Sequence, residues 1–273
     1  MTTTLRPSGP ERREADGSWA RSYAVCVNSR TVGGIELGSD PRYGLAVGRI
    51  TALAIDEGDR RRGRGTVAAL AAEEVLRYRG CTRVEIAVPP AAEHAPLIAA
   101  ALGYTEISRN MAKDLGATRH PLPAGGTTRP LSAAEYETWI ERQHDHFAGE
   151  LIDRGVPRDQ AAARAAAGFA AALPDGQDSE GTALLFLDQA GDTVGHLLLR
   201  VTEPAFVFSV AVEAAHRGRG HGRTLMLVAE NAAREAGAAT IQLHVFASNT
   251  PALGLYTSLG YRTTLSYFAK SLS

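Results

Sequence analysis

The sequence predicts a mixed α/β (α+β) fold that is built twice along the chain. Its 273 residues exceed the length of one ordinary domain. When the chain is shifted by 157 residues, positions 49–115 align without a gap with positions 206–272, and 18 of the 67 pairs are identical. In both copies, apolar runs of strand length alternate with helical segments. We therefore expect two tandem units, each with a central mixed β-sheet flanked by helices.

The composition is that of a globular protein, with 44% hydrophobic and 22% charged residues. Lys and Arg number 29 against 30 Asp and Glu, and this balance argues against a main role in coating nucleic acid or an anionic membrane. The chain lacks an apolar run of membrane-spanning length, and its first residues resemble no export signal, so we expect a cytoplasmic protein. Cys26 and Cys81 lack metal-binding spacing and are expected to be buried and reduced.

The first copy shows the following order of elements. A hairpin over 22–28 and 31–37 precedes a strand at 49–55, a Gly/Arg-rich turn and a helix at 66–79, which Gly80 ends. A β-branched strand at 83–88, a short helix and a Leu-Gly-Tyr turn follow. Upstream of the hairpin only about twenty residues remain, rich in Arg, Glu and Pro.

The second copy repeats this order and adds two helices before it. These helices are predicted at 133–154 and 157–173, and the hairpin at 183–188 and 193–201. The strand, helix and second strand fall at 206–212, 223–236 and 240–246. Residues 116–128 indicate a linker, which gives domains at 1–115 and 129–273.

The turn at 217–224 carries the strongest chemical signal. A strand leads through closely spaced glycines into a helix whose first backbone N–H groups have no internal partners. Glycines allow close approach of an anion, the helix end adds partial positive charge, and Arg217, Arg219 and Arg223 can neutralise the bound group. The pattern predicts a pyrophosphate site, and it matches neither GxxxxGK[ST] nor GxGxxG.

These residues resemble the GNAT acyl-CoA-dependent N-acetyltransferases, in which [QR]-x-x-G-x-[GA] joins a central strand to a helix. Both copies satisfy this motif, from Arg60 and from Arg217. The second copy adds a segment at 249–261 similar to the family's N-x-x-A-x-x-L-Y-x-x-x-G-[FY]. The resemblance covers residues 129–273 in full and residues 23–115 in part.

The resemblance implies roles for individual residues. Val210, Ala211 and Val212 would hydrogen bond the pantetheine arm, Asn249 would contact coenzyme A, and Tyr256 would protonate the departing thiolate. The residues implied to hold the pyrophosphate are Arg217, Gly218, Arg219, Gly220, His221, Gly222, Arg223 and Thr224. The matching positions of the first copy, with the strand before them, are Leu53, Ala54, Ile55, Arg60, Gly63, Gly65 and Thr66.

The general base stays open at the level of the sequence. A primary ammonium with a pKa of about 10.4 costs roughly 4.6 kcal/mol to deprotonate at pH 7, so a positioned base would help. The central strand at 206–212 contains no carboxylate. Glu203, Glu213, His244 and a water relay are the alternatives.

The first copy has alanine, Ala92 and Ala99, where the second has Asn249 and Tyr256. We therefore predict an acetyl-CoA-dependent N-acetyltransferase with an active C-terminal domain and a structural or regulatory N-terminal one. The alternative is a non-catalytic acyl-CoA sensor.

The acceptor would be a small-molecule or peptide amine, with no nucleic acid, membrane or metal involved. His144 and His146 face opposite sides of a helix and cannot share one ion. The chain could be a monomer or a homodimer.

Overall fold

The computed structural model describes residues 3–15, 17–39, 46–153 and 156–272. They form two compact units. Of these described residues, the first unit contains those within 3–109, 246–248 and 264–272, and the second contains those within 110–245 and 249–263. Each unit therefore includes a strand segment from the other half of the sequence. The mixed α/β class and the two-unit organisation are as predicted.

The first unit has a β-sheet with helices packed on it. In sheet order its strands are β1, β3, β4, β5, β6 and β13, and β2 pairs with β3. Antiparallel pairing joins β3 to β4 and β6 to β13, whereas β5 and β6 are parallel. The elements are β1 (Thr3–Pro7), β2 (Arg12–Arg13), β3 (Trp19–Val27), β4 (Arg30–Ser39), β5 (Val47–Ile55), α1 (Arg64–Tyr78), β6 (Arg83–Val88), α2 (Ala95–Ala101) and β7 (Thr105–Asp114), followed at the chain end by β13 (Arg262–Ser271).

The second unit repeats this arrangement with its own strands and helices. Residues 110–114 of β7 begin the order, which continues through β12, β11, β10, β9 and β8. Of these pairs, β11 and β12 are parallel. The elements are β8 (Gly126–Pro130), α3 (Ala133–Asp153), α4 (Arg158–Ala172), β9 (Thr182–Gln189), β10 (Asp192–Arg200), β11 (Ala205–Val212), α5 (His221–Glu235), β12 (Thr240–Phe246) and α6 (Thr250–Ser258).

The cores of the two units use matching elements. In the second unit, Leu225, Met226 and Ala229 of α5 are fully buried against Leu197 of β10 and Ile241 of β12. In the first unit, α1 buries its own apolar stripe on β4, β5 and β6. The described residues include no helix with the length and apolarity needed to cross a membrane.

The repeat is visible in the backbone as well as in the sequence. Three glycine pairs separated by the same interval all have positive φ: Gly63 and Gly220, Gly80 and Gly237, Gly103 and Gly260. A left-handed residue is strained unless it is glycine, so these positions fix the same turns in both copies. The helices begin two residues earlier than predicted, directly after Gly63 and Gly220.

Most other predicted strand and helix ends differ from the observed ones by one to three residues, and two further differences lie between residues 116 and 154. Strand β8 begins at Gly126, inside the segment predicted as linker, because it pairs with β9. In this antiparallel pair, Gly126 is opposite Gln189 and Pro130 is opposite Leu185. Helix α3 is described to Asp153, and Arg154, its predicted last residue, lies outside the described residues. The domain limits at 115 and 129 stay predictions.

Candidate active site

A gap between two parallel strands forms the centre of the candidate site. The register of β11 with β12 covers Ala205–Val207 and ends there. On the opposite edge, β11 continues to pair with β10 as far as Val212. A shift in this ladder places Phe208 as an extra residue, which is a β-bulge that increases local twist. The backbone of Val210, Ala211 and Val212 thus lies beyond the paired part of β12.

The glycine turn follows directly at the end of β11. Gly218 and Gly220 adopt φ of 77° and 88°, and a Cβ built on either would meet no atom within 4 Å. No atom of the described residues therefore blocks the approach of an anion to the backbone at Gly218 and Gly220. Gly222 has a packing role, since a Cβ there would lie 3.3 Å from Leu255 of α6. Thr224 is in the first turn of α5.

The three arginines of this turn have different environments. The Nε of Arg217 donates to the carbonyl oxygen of Val212 at 3.2 Å, which ties the turn to the strand. Arg223 donates to the hydroxyl of Ser258 at 2.5 Å. Arg219 lines a cavity of about 480 Å³ together with Gly220, His221 and Thr224. All three arginines lie within four residues of the start of α5 in the sequence, where the helix dipole also favours an anion.

Asn249 and Tyr256 lie at the start and in the last turns of α6. The Oδ1 of Asn249 accepts a hydrogen bond from the Ala252 amide at 3.2 Å, so this side chain caps the helix. Tyr256 is partly buried against the core of the second unit, and its ring centroid is 5.9 Å from that of Tyr261. Burial raises the pKa of Tyr256, because the phenolate loses solvation. This phenol therefore remains protonated at neutral pH.

The three side chains named as base candidates have different surroundings. The Glu203 carboxylate binds backbone amides: its Oε2 accepts hydrogen bonds from the N–H of Ala239 at 2.6 Å and from the N–H of Thr240 at 3.3 Å. His244 shares a hydrogen bond of 2.8 Å with Asn110. Glu213 is exposed at the end of β11 and lines a cavity of about 610 Å³. Of the three, Glu213 is nearest in sequence to the turn at 217–224, and this cavity is also lined by His216, the residue before the turn.

Sequence reasoning missed His196 on β10. The residue is 5% exposed, and its Nε2 lies 3.4 Å from the Ser209 hydroxyl on the central strand. Trp139 of α3 contacts the ring edge-on at a centroid distance of 5.6 Å. Burial, with a smaller contribution from the charge of His146, lowers the pKa of His196 to about 4. The sequence around His196 shows only a histidine within an apolar strand. It does not predict the burial of the ring or its lowered pKa, because the residues that pack on it belong to other elements.

The first unit has a matching turn at 60–66 but lacks the phenol that the second unit has at Tyr256. The register of β5 with β6 ends at Ile50, so Leu53, Ala54 and Ile55 lie beyond the paired segment. The turn residues Arg60, Gly63, Gly65 and Thr66 follow. Ala99, which occupies the position of Tyr256, is 2% exposed in α2 and has no titratable group.

The histidines of α3 have separate partners. The ring of His144 packs 5.3 Å from Phe169, and Nε2 of His146 lies 3.9 Å from the Glu150 carboxylate. Across the part of the chain that the structure describes, no three His, Cys, Asp or Glu side chains are grouped as a metal site would require.

The splayed strands, the bulge and the arginine-glycine turn together define an acyltransferase fold. The model of the acetyltransferase (GNAT) family matches this chain twice, over residues 3–104 and 132–261. Because these matches cover most of the sequence, the chain belongs to the GNAT family and is an N-acetyltransferase with tandem domains.

Individual relatives agree with this assignment. The chain is 28% identical to a mycothiol acetyltransferase of Rhodococcus erythropolis over 92% of this chain and 84% of that protein. It is also 28% identical to the uncharacterized N-acetyltransferase YdgE of Bacillus subtilis, over 50% of this chain and 92% of that one.

Among solved structures, a GCN5-related N-acetyltransferase from Sphaerobacter thermophilus superposes with a TM-score of 0.59 at 18% identity, covering 92% of this chain and 80% of that one. A tandem GNAT protein from the clavulanic acid pathway gives a TM-score of 0.50 at 18% identity, with coverage of 94% and 84%. At this identity the superpositions show the fold alone.

Proposed function

We propose that the second unit transfers the acetyl group of acetyl-CoA directly to a primary amine and that the first unit is structural or regulatory. The observation that carries this assignment is the difference at two matched positions. The second unit has Asn249 and Tyr256 on α6, whereas the first has Ala92 and Ala99. A unit without the phenol lacks that proton donor for a thiolate.

The binding part of the proposal assigns the coenzyme to three elements. The backbone of Val210–Val212 would pair with the pantetheine amides in the gap beside β11. The diphosphate would lie on the turn at 217–224, held by backbone N–H groups and by the charge of Arg219. Asn249, at the start of α6, would contact the same ligand.

The chemical step is an acyl transfer without an acyl-enzyme. The amine nitrogen attacks the thioester carbonyl, a C–N bond forms, and the C–S bond breaks. Tyr256 gives its proton to the sulfur as it leaves, and the proton lost by the amine passes to a base or to water. Both cysteines lie in the first unit and are buried, and the turn at 217–224 contains no cysteine that could act as a nucleophile.

We infer that Glu213 or a water relay receives the amine proton. Glu203 and His244 are held in the hydrogen bonds described above, which makes them poorer candidates. The acceptor is proposed to be a small-molecule or peptide amine. We propose the cytoplasm as the location of the protein, a compartment in which buried cysteines such as Cys26 and Cys81 stay reduced.

The proposal is tested by incubating the full-length protein with acetyl-CoA and a panel of amines, and by measuring free thiol together with the acetylated product. Transfer to at least one amine, slowed by about 10²- to 10⁴-fold in Tyr256→Phe with CoA binding retained, is the expected result. Saturable CoA binding without turnover across small amines, peptide N-termini and lysine side chains would favour the sensor alternative and contradict the proposal.

A further inference from the structure

The glycine turns of the two units have matching backbone features. Gly63 and Gly220 both adopt positive φ, at 71° and 88°. The arginine three residues before each glycine makes the same bond: Nε of Arg60 donates to the Ile55 carbonyl at 2.8 Å, as Arg217 does to Val212. Differences in ligand binding between these turns must therefore come from side chains.

The side chains of the two turns differ in charge. Residues 56–67 include four arginines and three carboxylates, whereas residues 213–224 include three arginines and one carboxylate. One of these carboxylates, Asp59, stands at the position of His216, and it is 5% exposed. The first turn thus contains a buried negative charge that the second lacks.

Asp59 is paired inside the turn. Its Oδ1 accepts a hydrogen bond from Arg30 at 2.8 Å and forms an ion pair with Arg64. Arg64 occupies the position of His221 at the start of the helix, and its side chain is only 10% exposed. Arg64, the first residue of α1, is therefore already paired with an internal carboxylate.

A second difference affects the shape of the turn. Arg61 stands where the second turn has Gly218, and it adopts φ of 58°. Left-handed backbone is unfavourable for a residue with a Cβ, and Gly218 at the matching position has none.

We propose that Asp59 determines which of the two turns takes up CoA. In the first turn its carboxylate replaces the diphosphate as the partner of Arg64, so the chain binds CoA only at the second turn. A diphosphate brought beside a buried carboxylate would meet like-charge repulsion in surroundings of low dielectric constant. The proposal rests on the assignment of CoA to the second turn and goes beyond it by stating why the first turn is excluded.

The first test is calorimetric titration of the full-length protein with CoA. The expected result is one CoA per chain. Two CoA per chain would overturn this inference and leave the proposed function standing, whereas no binding at all would overturn both.

The second test exchanges the side chains between the turns. The variant His216→Asp/His221→Arg places the first turn's pair in the second turn, and its affinity for CoA should fall by on the order of 100-fold. The variant Asp59→His/Arg61→Gly/Arg64→His gives the first turn the residues of the second, and a second, weaker CoA should bind. Glu57→Gln removes an exposed carboxylate of the first turn and should leave the count at one.

Each variant is first checked for folding by circular dichroism. Unchanged affinity in folded His216→Asp/His221→Arg, or a count that remains at one in the folded triple variant, would overturn the inference. If the triple variant does not fold, the inference is tested by the number of CoA bound per wild-type chain and by the CoA affinity of His216→Asp/His221→Arg.

Discussion

Lys270 Nζ lies 2.6 Å from the Glu73 carboxylate, although the two residues are 197 positions apart in the sequence. The second unit has the matching pair, in which Lys113 Nζ lies 2.7 Å from Glu230. Under the repeat, Lys113 matches Lys270 and Glu73 matches Glu230. Each glutamate therefore pairs with the lysine that the sequence assigns to the other copy. This pairing follows from the exchange of strand segments between the two sequence halves.

The first prediction concerns this ion pair. Lys270→Met should lower the free energy of unfolding by about 3 kcal/mol, because it leaves the almost fully buried Glu73 carboxylate without its cation. Arg262→Met is the matched control: its partner is Asp114, both side chains are 80% exposed, and the cost should stay below about 1 kcal/mol. Urea unfolding measures both. Equal costs in the two variants would contradict the prediction.

Hydrogen exchange can locate the effect of each lysine. Since Glu73 is in α1, Lys270→Met should accelerate exchange in α1, whereas Lys113→Met should do so in α5, which contains Glu230. The reverse assignment would show that each lysine serves its own sequence half.

The second prediction concerns Tyr256. Replacement by Phe should lower kcat by about 10²- to 10⁴-fold, the usual contribution of a positioned acid, and leave the Kd for CoA within a factor of about three. Tyr78→Phe is the matched control, because that side chain is 95% exposed, and its kinetics should equal those of the wild type. A Tyr256→Phe enzyme with wild-type kcat would remove the phenol from the mechanism.

The third prediction concerns Gly220. Gly220→Ala forces a Cβ onto left-handed backbone at the helix start, which costs about 1–2 kcal/mol, and it should weaken CoA binding more than tenfold. Gly149→Ala, in the interior of α3 with no atom within 4 Å of the new Cβ, should instead stabilise the protein by about 0.5–1 kcal/mol. Thermal unfolding and calorimetry distinguish the two. Wild-type affinity in Gly220→Ala would refute the role of the turn.

The fourth prediction concerns the pH dependence of stability. Burial lowers the pKa of His196 from 6.5 to about 4, so folding favours its neutral form. The contribution to stability is fully present above pH 6.5 and is lost as the pH falls toward 4, by about 3 kcal/mol in total. The ring faces Trp139, Phe186, Ser209 and the charge of His146.

The fourth prediction is measured by denaturant unfolding of His196→Phe and wild type between pH 7 and 4. The difference between their stabilities should change over this interval. His94→Phe, at an exposed position of the first unit, should show no such change. A constant difference for His196→Phe would contradict the lowered pKa.

The sequence alone determined the elements that depend on local chemistry. Apolar periodicity and turn glycines predicted the strands at 83–88 and 240–246 with the bounds that the structure has. The repeat interval located the two turns because the same left-handed positions require glycine in both copies. Resemblance of the motif at 217–224 then identified the family.

Tertiary structure decided what depends on partners distant in the chain. It brought Lys270 to Glu73, placed Asp59 between Arg30 and Arg64, and buried His196 under Trp139. A sequence pattern records whether a residue is polar and how it is spaced from its neighbours. It does not record which charge will face that residue once strands from both halves are paired, and that partner determines the residue's burial, protonation and available ligands.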